Sequence, residues 1–135
     1  TYDVSYAVLE CTGLVATTHL GLYRDPGWTL VYLDDQAAVM VRQAPATAGY
    51  LARHGYDELR PDTALLRVSN PRGDPRSAAL AGEVLRHVAE TPRSIRARLL
   101  ASAVHFHAGR QAAAVAEREA AEALARERGV SLPAR

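Results

Sequence analysis

Five groupings of residues in this chain carry side chains that could do chemistry. Asp34 and Asp35 set two carboxylates side by side, the raw material of a divalent-cation site or an acid/base pair. Adjacent residues on a turn point different ways, however, and a hard cation gathers about six to eight oxygens, so the pair reads as a solvated turn. His105 and His107 stand two apart on a predicted helix, which sends them to nearly opposite sides. They cannot share a metal as an i, i+4 pair could, and the expectation is one half-buried and one exposed ring. His19, His54 and His87 have no ligand set in their sequence neighbourhood. Cys11, with Glu10 beside it and His19 beyond, has the types of a nucleophile and base, yet a lone Cys at a strand end reads as a small buried hydrophobe. It excludes an intrachain disulfide and a cysteine-based zinc site. Arg72-Gly73-Asp74 spells an adhesion tripeptide inside a Pro-rich stretch, where loop punctuation explains it. No catalytic residue, no metal site and no cofactor is expected.

Composition narrows the classes further. The 135 residues, 48% hydrophobic, suit one domain or a small domain with a helical extension. A net charge of +1 gives no electrostatic reason for nucleic acid as a partner. Every basic residue is Arg, which excludes a P-loop, a Schiff-base enzyme and a lysine general base. Residues 1–35 hold one Arg against five acids and the remainder the opposite balance, a mild dipole. No apolar run is long enough to cross a bilayer, and no signal-peptide core opens the chain. Thr1-Tyr2-Asp3 stands directly before a strand-like run, from which the chain is expected to be cut from a longer protein.

The elements that must position any site follow from periodicity. Pro26 to Arg42 reads as a hairpin: Thr29, Val31 and Leu33 alternate with Trp28, Leu30 and Tyr32, and Val39 and Val41 with Ala38 and Met40. Asp34, Asp35 and Gln36 form its turn. Val4 to Leu9 supplies a first strand, with Leu14 to Arg24 a short helix that crosses over between strands. Helical spacing predicts Pro45–His54 stopped by Gly55, a short turn after Pro61, then Arg76–Glu90, a helix from Ser94 to Gly109 burying Ile95, Leu99, Ala103 and Phe106, and Arg110–Arg128 with a ridge at Ala113, Ala116, Ala120 and Ala123. On the last of these, Arg118 and Glu122 form an i, i+4 pair on a solvated side.

Two resemblances attach to these segments. Ser102, Gly109, Ala114 and Ala121 sit at spacings that resemble a tetratricopeptide helix pair, where small residues let antiparallel helices approach closely. The order of YDVSYAVLE, a short helix, DPGWTLVYLDDQAAVMVR and a helix before GYDELRP resembles the C-terminal region of bacterial multi-spanning membrane proteins akin to polyprenyl-phosphate-dependent glycosyltransferases of the mannosyltransferase type. Trp28, Asp34, Asp35 and Arg42 carry that likeness, over about residues 2–61. It implies an extracytoplasmic domain at the bacterial inner membrane, with the catalytic acids of the class in a loop between membrane helices outside this chain. A cytoplasmic location is the alternative.

The expected fold is therefore α+β: a small three-stranded sheet in residues 1–68, a linker at 69–75, and a tetratricopeptide-like helical region at 76–130 forming one compact unit with it. The expected function is a non-catalytic accessory or interaction domain of a membrane-embedded glycosyltransferase-like protein, with Trp28, Tyr32, Asp34 and Asp35 as binding residues. Its partner is then the membrane portion of the parent protein or a protein or glycan acceptor. The alternative is a helical adaptor for a peptide or protein, bound through Arg76 to Arg128.

Overall fold

Trp28 to Arg42 folds into a hairpin because Asp34 supplies the turn that the strands themselves cannot. In the computed structural model, which describes residues 5–13 and 18–133, the Asp34 amide donates to the Ala37 carbonyl at 3.0 Å. Its Oδ1 accepts from the amides of Gln36 and Ala37, each at 2.8 Å. A carboxylate that satisfies two turn amides holds the reversal without the left-handed glycine a tighter turn needs. Strands β2 (Trp28–Leu33) and β3 (Ala37–Arg42) therefore pair antiparallel, and β1 (Tyr6–Glu10) pairs antiparallel on the far side of β3, giving the order β1-β3-β2. The fold is α+β. Among the described residues every strand pairing is antiparallel, so the right-handed preference of crossovers between parallel strands does not apply. The expected strand start at Val4 and the expected helix residues Leu14 to Thr17 lie outside the described residues; the helical turn that is described, α1, spans Leu20–Tyr23.

The register of β2 departs from simple alternation. Leu30 faces Met40 and Tyr32 faces Val39, so Val31 is an extra residue, a β-bulge. One inserted residue exchanges the faces of everything after it. Leu30 and Leu33, three apart, are consequently both buried, together with Ala38 and Met40 opposite them. Of the other residues of the two strands, Val41 is buried, Val39 and Trp28 are half-buried and Tyr32 is exposed.

Two compact units divide the chain, residues 1–65 and 66–135. In the first, the Tyr56 amide donates to the Leu30 carbonyl at 2.8 Å and extends pairing beyond the outer edge of β2. Helix α2 (Ala48–His54) buries none of its residues fully: Leu51 is half-buried, and Ala48 and Ala52 beside it are exposed. Arg24 at the end of α1 reaches Asp62 at 3.1 Å, tying that turn to the approach of α3 (Ala64–Ser69).

In the second unit, Asp74 organises the Pro-rich segment. It accepts from Arg67 Nε at 2.9 Å and from the Arg76 amide at 2.9 Å. The adhesion-like tripeptide thus has its acid engaged in folding the segment before α4 (Ser77–Glu90). The hydrogen bond from Arg67, then that from the Arg76 amide, holds the Asp74 carboxyl below the usual carboxylate range. A depressed folded value adds stability above the unfolded pKa of about 3.9 and loses it as pH falls through the folded value. Wild type and Asp74→Asn are accordingly expected to differ in denaturant midpoint at neutral pH and to converge in acid; a pH-independent difference would assign Asp74 another role.

Helix α5 (Ile95–His107) opens on a Ser94 cap, whose Oγ accepts from the Ala97 amide at 3.0 Å. It closes at Gly109, whose φ of 77° lets the Arg110 amide return to the His105 carbonyl at 2.9 Å. Helix α6 (Gln111–Arg128) then runs back antiparallel, as three links show: Arg98 to Glu117 at 2.8 Å, Ser102 Oγ to the Ala114 carbonyl at 2.8 Å, and Arg93 to Glu127 at 2.7 Å. The buried stripe of α6 is Ala114, Ala121, Leu124 and Ala125, not the expected ridge at Ala113, Ala116, Ala120 and Ala123. Phe106, expected inside, is 54% exposed, and Ala103 is only half-buried, whereas Ile95 and Leu99 are buried. The Arg118–Glu122 pair forms at 3.1 Å.

Candidate functional site

The bulge at Val31 separates the residues that sequence spacing had grouped. Trp28 is paired with Arg42 and Tyr32 with Val39, and residues 42 and 39 of one strand face opposite ways. Trp28 therefore shares the inner face with Arg42, whose guanidinium carbon lies 5.2 Å from the ring centroid, a cation–π contact. Tyr32 belongs to the other face. There its hydroxyl donates to Asp34 Oδ2 at 2.8 Å, so both oxygens of Asp34 are engaged in the hairpin. Asp35 is half-buried in the same turn. Tyr32, Asp34 and Asp35 come together; Trp28 does not join them.

The tyrosine hydroxyl is pushed above its ordinary pKa, first by that hydrogen bond, then by burial and by the charges of Asp34 and Asp35. The donated bond exists only in the protonated form, so its contribution is present below the unfolded value of about 10 and fades as pH rises through the folded one. In an ultraviolet titration Tyr32 is expected to ionise late, and Tyr32→Phe to reduce the late-ionising amplitude by one tyrosine. An unchanged late amplitude in Tyr32→Phe would contradict this.

The outward face of the sheet is apolar and aromatic. Register sets Tyr6 opposite Val41 and Val8 opposite Val39, with Tyr32 across from Val39 on the other side. Tyr6 is 65% exposed, Val8 64% and Tyr32 43%. Neighbouring exposed aromatic and β-branched side chains on a rigid sheet are what contact surfaces use, because little side-chain freedom is lost on burial. Sequence reasoning missed Tyr6 and Val8 as surface residues. Alternation alone shows that a strand has two faces and does not say which one is covered.

The second unit holds a cleft of about 330 Å³. Val68, Leu80, Ala81 and Val104 give it an apolar lining, while Arg67, Ser77, His107 and Arg110 bring polar groups. Arg110 Nε donates to His105 Nδ1 at 2.9 Å, and His107 packs edge-on against Phe106 at 5.2 Å between centroids. His105 is half-buried and His107 exposed, as two residues two apart on a helix should be. Nothing in the linear sequence joins Arg67 to Arg110; three helices bring them to one cleft.

The remaining candidates separate in space. Cys11 is fully buried, whereas His19 is exposed, held at φ 60° against the edge of the Tyr23 ring. His87 is buried, with Thr91 Oγ1 at 3.3 Å from its Nδ1. Among the described residues no group of three or more His, Cys, Asp or Glu is placed to hold a metal ion. Nor, among them, is any helix long and apolar enough to cross a membrane. Comparison of the chain with family models, with curated proteins and with solved structures finds no match.

Proposed function

We propose that this chain is a non-catalytic interaction domain, the extracytoplasmic accessory part of a membrane-embedded bacterial protein of glycosyltransferase type, which docks through the outward face of its sheet. The observation that carries the reading is the exposure of Tyr6, Val8 and Tyr32 together on a formed sheet. The parent type rests on the resemblance carried by Trp28, Asp34, Asp35 and Arg42. A protein surface suits this face better than a glycan: Asp34 spends both oxygens on the hairpin, and Trp28, the strongest sugar-stacking ring, lies on the inner face. The occupant is the membrane portion of the same polypeptide.

Two surface changes test this. In the full-length encoded polypeptide, Tyr6→Ser with Val8→Glu is expected to leave the melting temperature of this domain within a few degrees, since substitutions at exposed positions cost about 0.5 kcal/mol or less. The same pair should abolish protection of the sheet from proteolysis by the membrane portion. Unchanged protection, or a reading frame that encodes no long apolar segments, would refute the docking.

A second reading, a helical adaptor for a peptide, is supported by the cleft of the second unit.

A further inference from the structure

We propose that the cleft bounded by α3, α4 and the α5–α6 turn binds the free carboxy-terminus of a peptide that ends in an aliphatic residue. The proposal rests on the adaptor reading and names its ligand. Volume comes first: about 330 Å³ is at the lower end of the range for pockets that enclose a small ligand, enough for one terminal residue and part of the next. Val68, Leu80, Ala81 and Val104 make the lining apolar, which favours an aliphatic side chain over a polar one.

Charge supplies the other half. Arg67, His107 and Arg110 line the cleft, and no Asp or Glu does. Arg67 is already held by Asp74 at 2.9 Å. Arg110 is different: its Nε is oriented by His105, and among the described residues no carboxylate forms an ion pair with it. A guanidinium fixed through Nε presents its terminal N–H groups as a fork, the geometry that takes a carboxylate in two parallel hydrogen bonds. The Ser77 hydroxyl and the His107 ring offer further donors at the same cleft.

An apolar lining and a carboxylate receptor in so small a space require a ligand whose aliphatic group and anion are covalently close. At a peptide's carboxy-terminus the side chain and the carboxylate share one Cα, whereas a Glu or Asp side chain brings no aliphatic group with its charge. Inorganic phosphate would leave the apolar lining unfilled. Capture of a terminal carboxylate beside a pocket for the last side chain is an established recognition geometry.

The probe is acetyl-Ala-Ala-Leu with a free carboxylate, titrated into the full chain against its carboxy-terminal amide, with amide chemical shifts and calorimetry as readouts. The acid should shift the resonances of Val68, Leu80, Val104 and His107 and bind at least about tenfold more tightly than the amide, the difference expected for a charge-assisted hydrogen-bonded pair. Arg110 is exposed at the start of α6, so Arg110→Gln should keep the fold while erasing the preference for acid over amide. His107→Gln, also exposed, should weaken acid binding by a smaller factor. Equal binding of acid and amide in the cleft would overturn the carboxylate assignment and leave the peptide-adaptor reading standing. No shift in the cleft residues with either ligand at several millimolar would overturn both. Acetyl-leucine alone binding as tightly as the tripeptide would overturn the peptide as ligand.

Discussion

Leu30→Ala is expected to cost about 2–5 kcal/mol, while Tyr32→Ala, two residues along the same strand, costs less than about 1 kcal/mol. Leu30 is fully buried, paired with Met40 on one side and receiving the Tyr56 amide on the other. Removing its three terminal carbons leaves a cavity that the sheet backbone cannot collapse into, since both neighbours hold it in place. Tyr32 gives up an exposed ring and one hydrogen bond to Asp34. Without the bulge the two residues would share a face and the two losses would be alike. Urea titrations of both variants measure the difference directly; comparable losses would mean that Val31 is not the extra residue.

Gly55→Ala is the second large effect, and it acts through space rather than backbone angle. A Cβ at residue 55 would meet the Leu51 carbonyl oxygen at 2.6 Å and the Thr29 methyl at 2.9 Å. The φ of −66° is open to any residue, so the glycine is required by the close approach of α2's end to β2. Relief means shifting backbone, at about 1–3 kcal/mol. Gly82 is the control. It lies inside α4 with nothing within 4 Å of its would-be Cβ, so Gly82→Ala is expected to stabilise by about 0.5–1 kcal/mol. Thermal melts of the two variants should move in opposite directions; a Gly55→Ala protein as stable as wild type would mean that α2 does not pack closely on Thr29.

What could be read from the sequence was what local chemistry determines. Asp34 closes the hairpin as its side chain allows, Ser94 caps α5, and Gly129, at φ 67°, ends α6 with the Val130 amide returned to the Ala125 carbonyl at 2.9 Å. Alternation located β2 and β3, but not the bulge within β2, because WTLVYL has no polar residue after Thr29 to mark a change of face and contains no glycine to betray an inserted residue. That single insertion moved Tyr32 to the outer face and left Trp28 on the inner one. The alanine ridge failed for a related reason. Alanines occupy so many positions of α6 that several stripes fit the helical period, and the larger Leu124 decides which of them turns inward. The cleft that gathers Arg67 with Arg110 depends on neighbours distant in sequence. The inner face of the site was half legible; the outer face, with Tyr6 and Val8, was not.

The role of that outer face is tested most directly by site-specific photocrosslinking from residue 8. In the full-length encoded polypeptide, Val8 replaced by benzoylphenylalanine is expected to crosslink within the same polypeptide, to the proposed membrane portion, and Arg53, exposed on α2, is expected to give no such product. Equal yields from the two positions would contradict a contact role for the sheet face, and products at residue 8 only with unrelated proteins would contradict the membrane portion as its occupant.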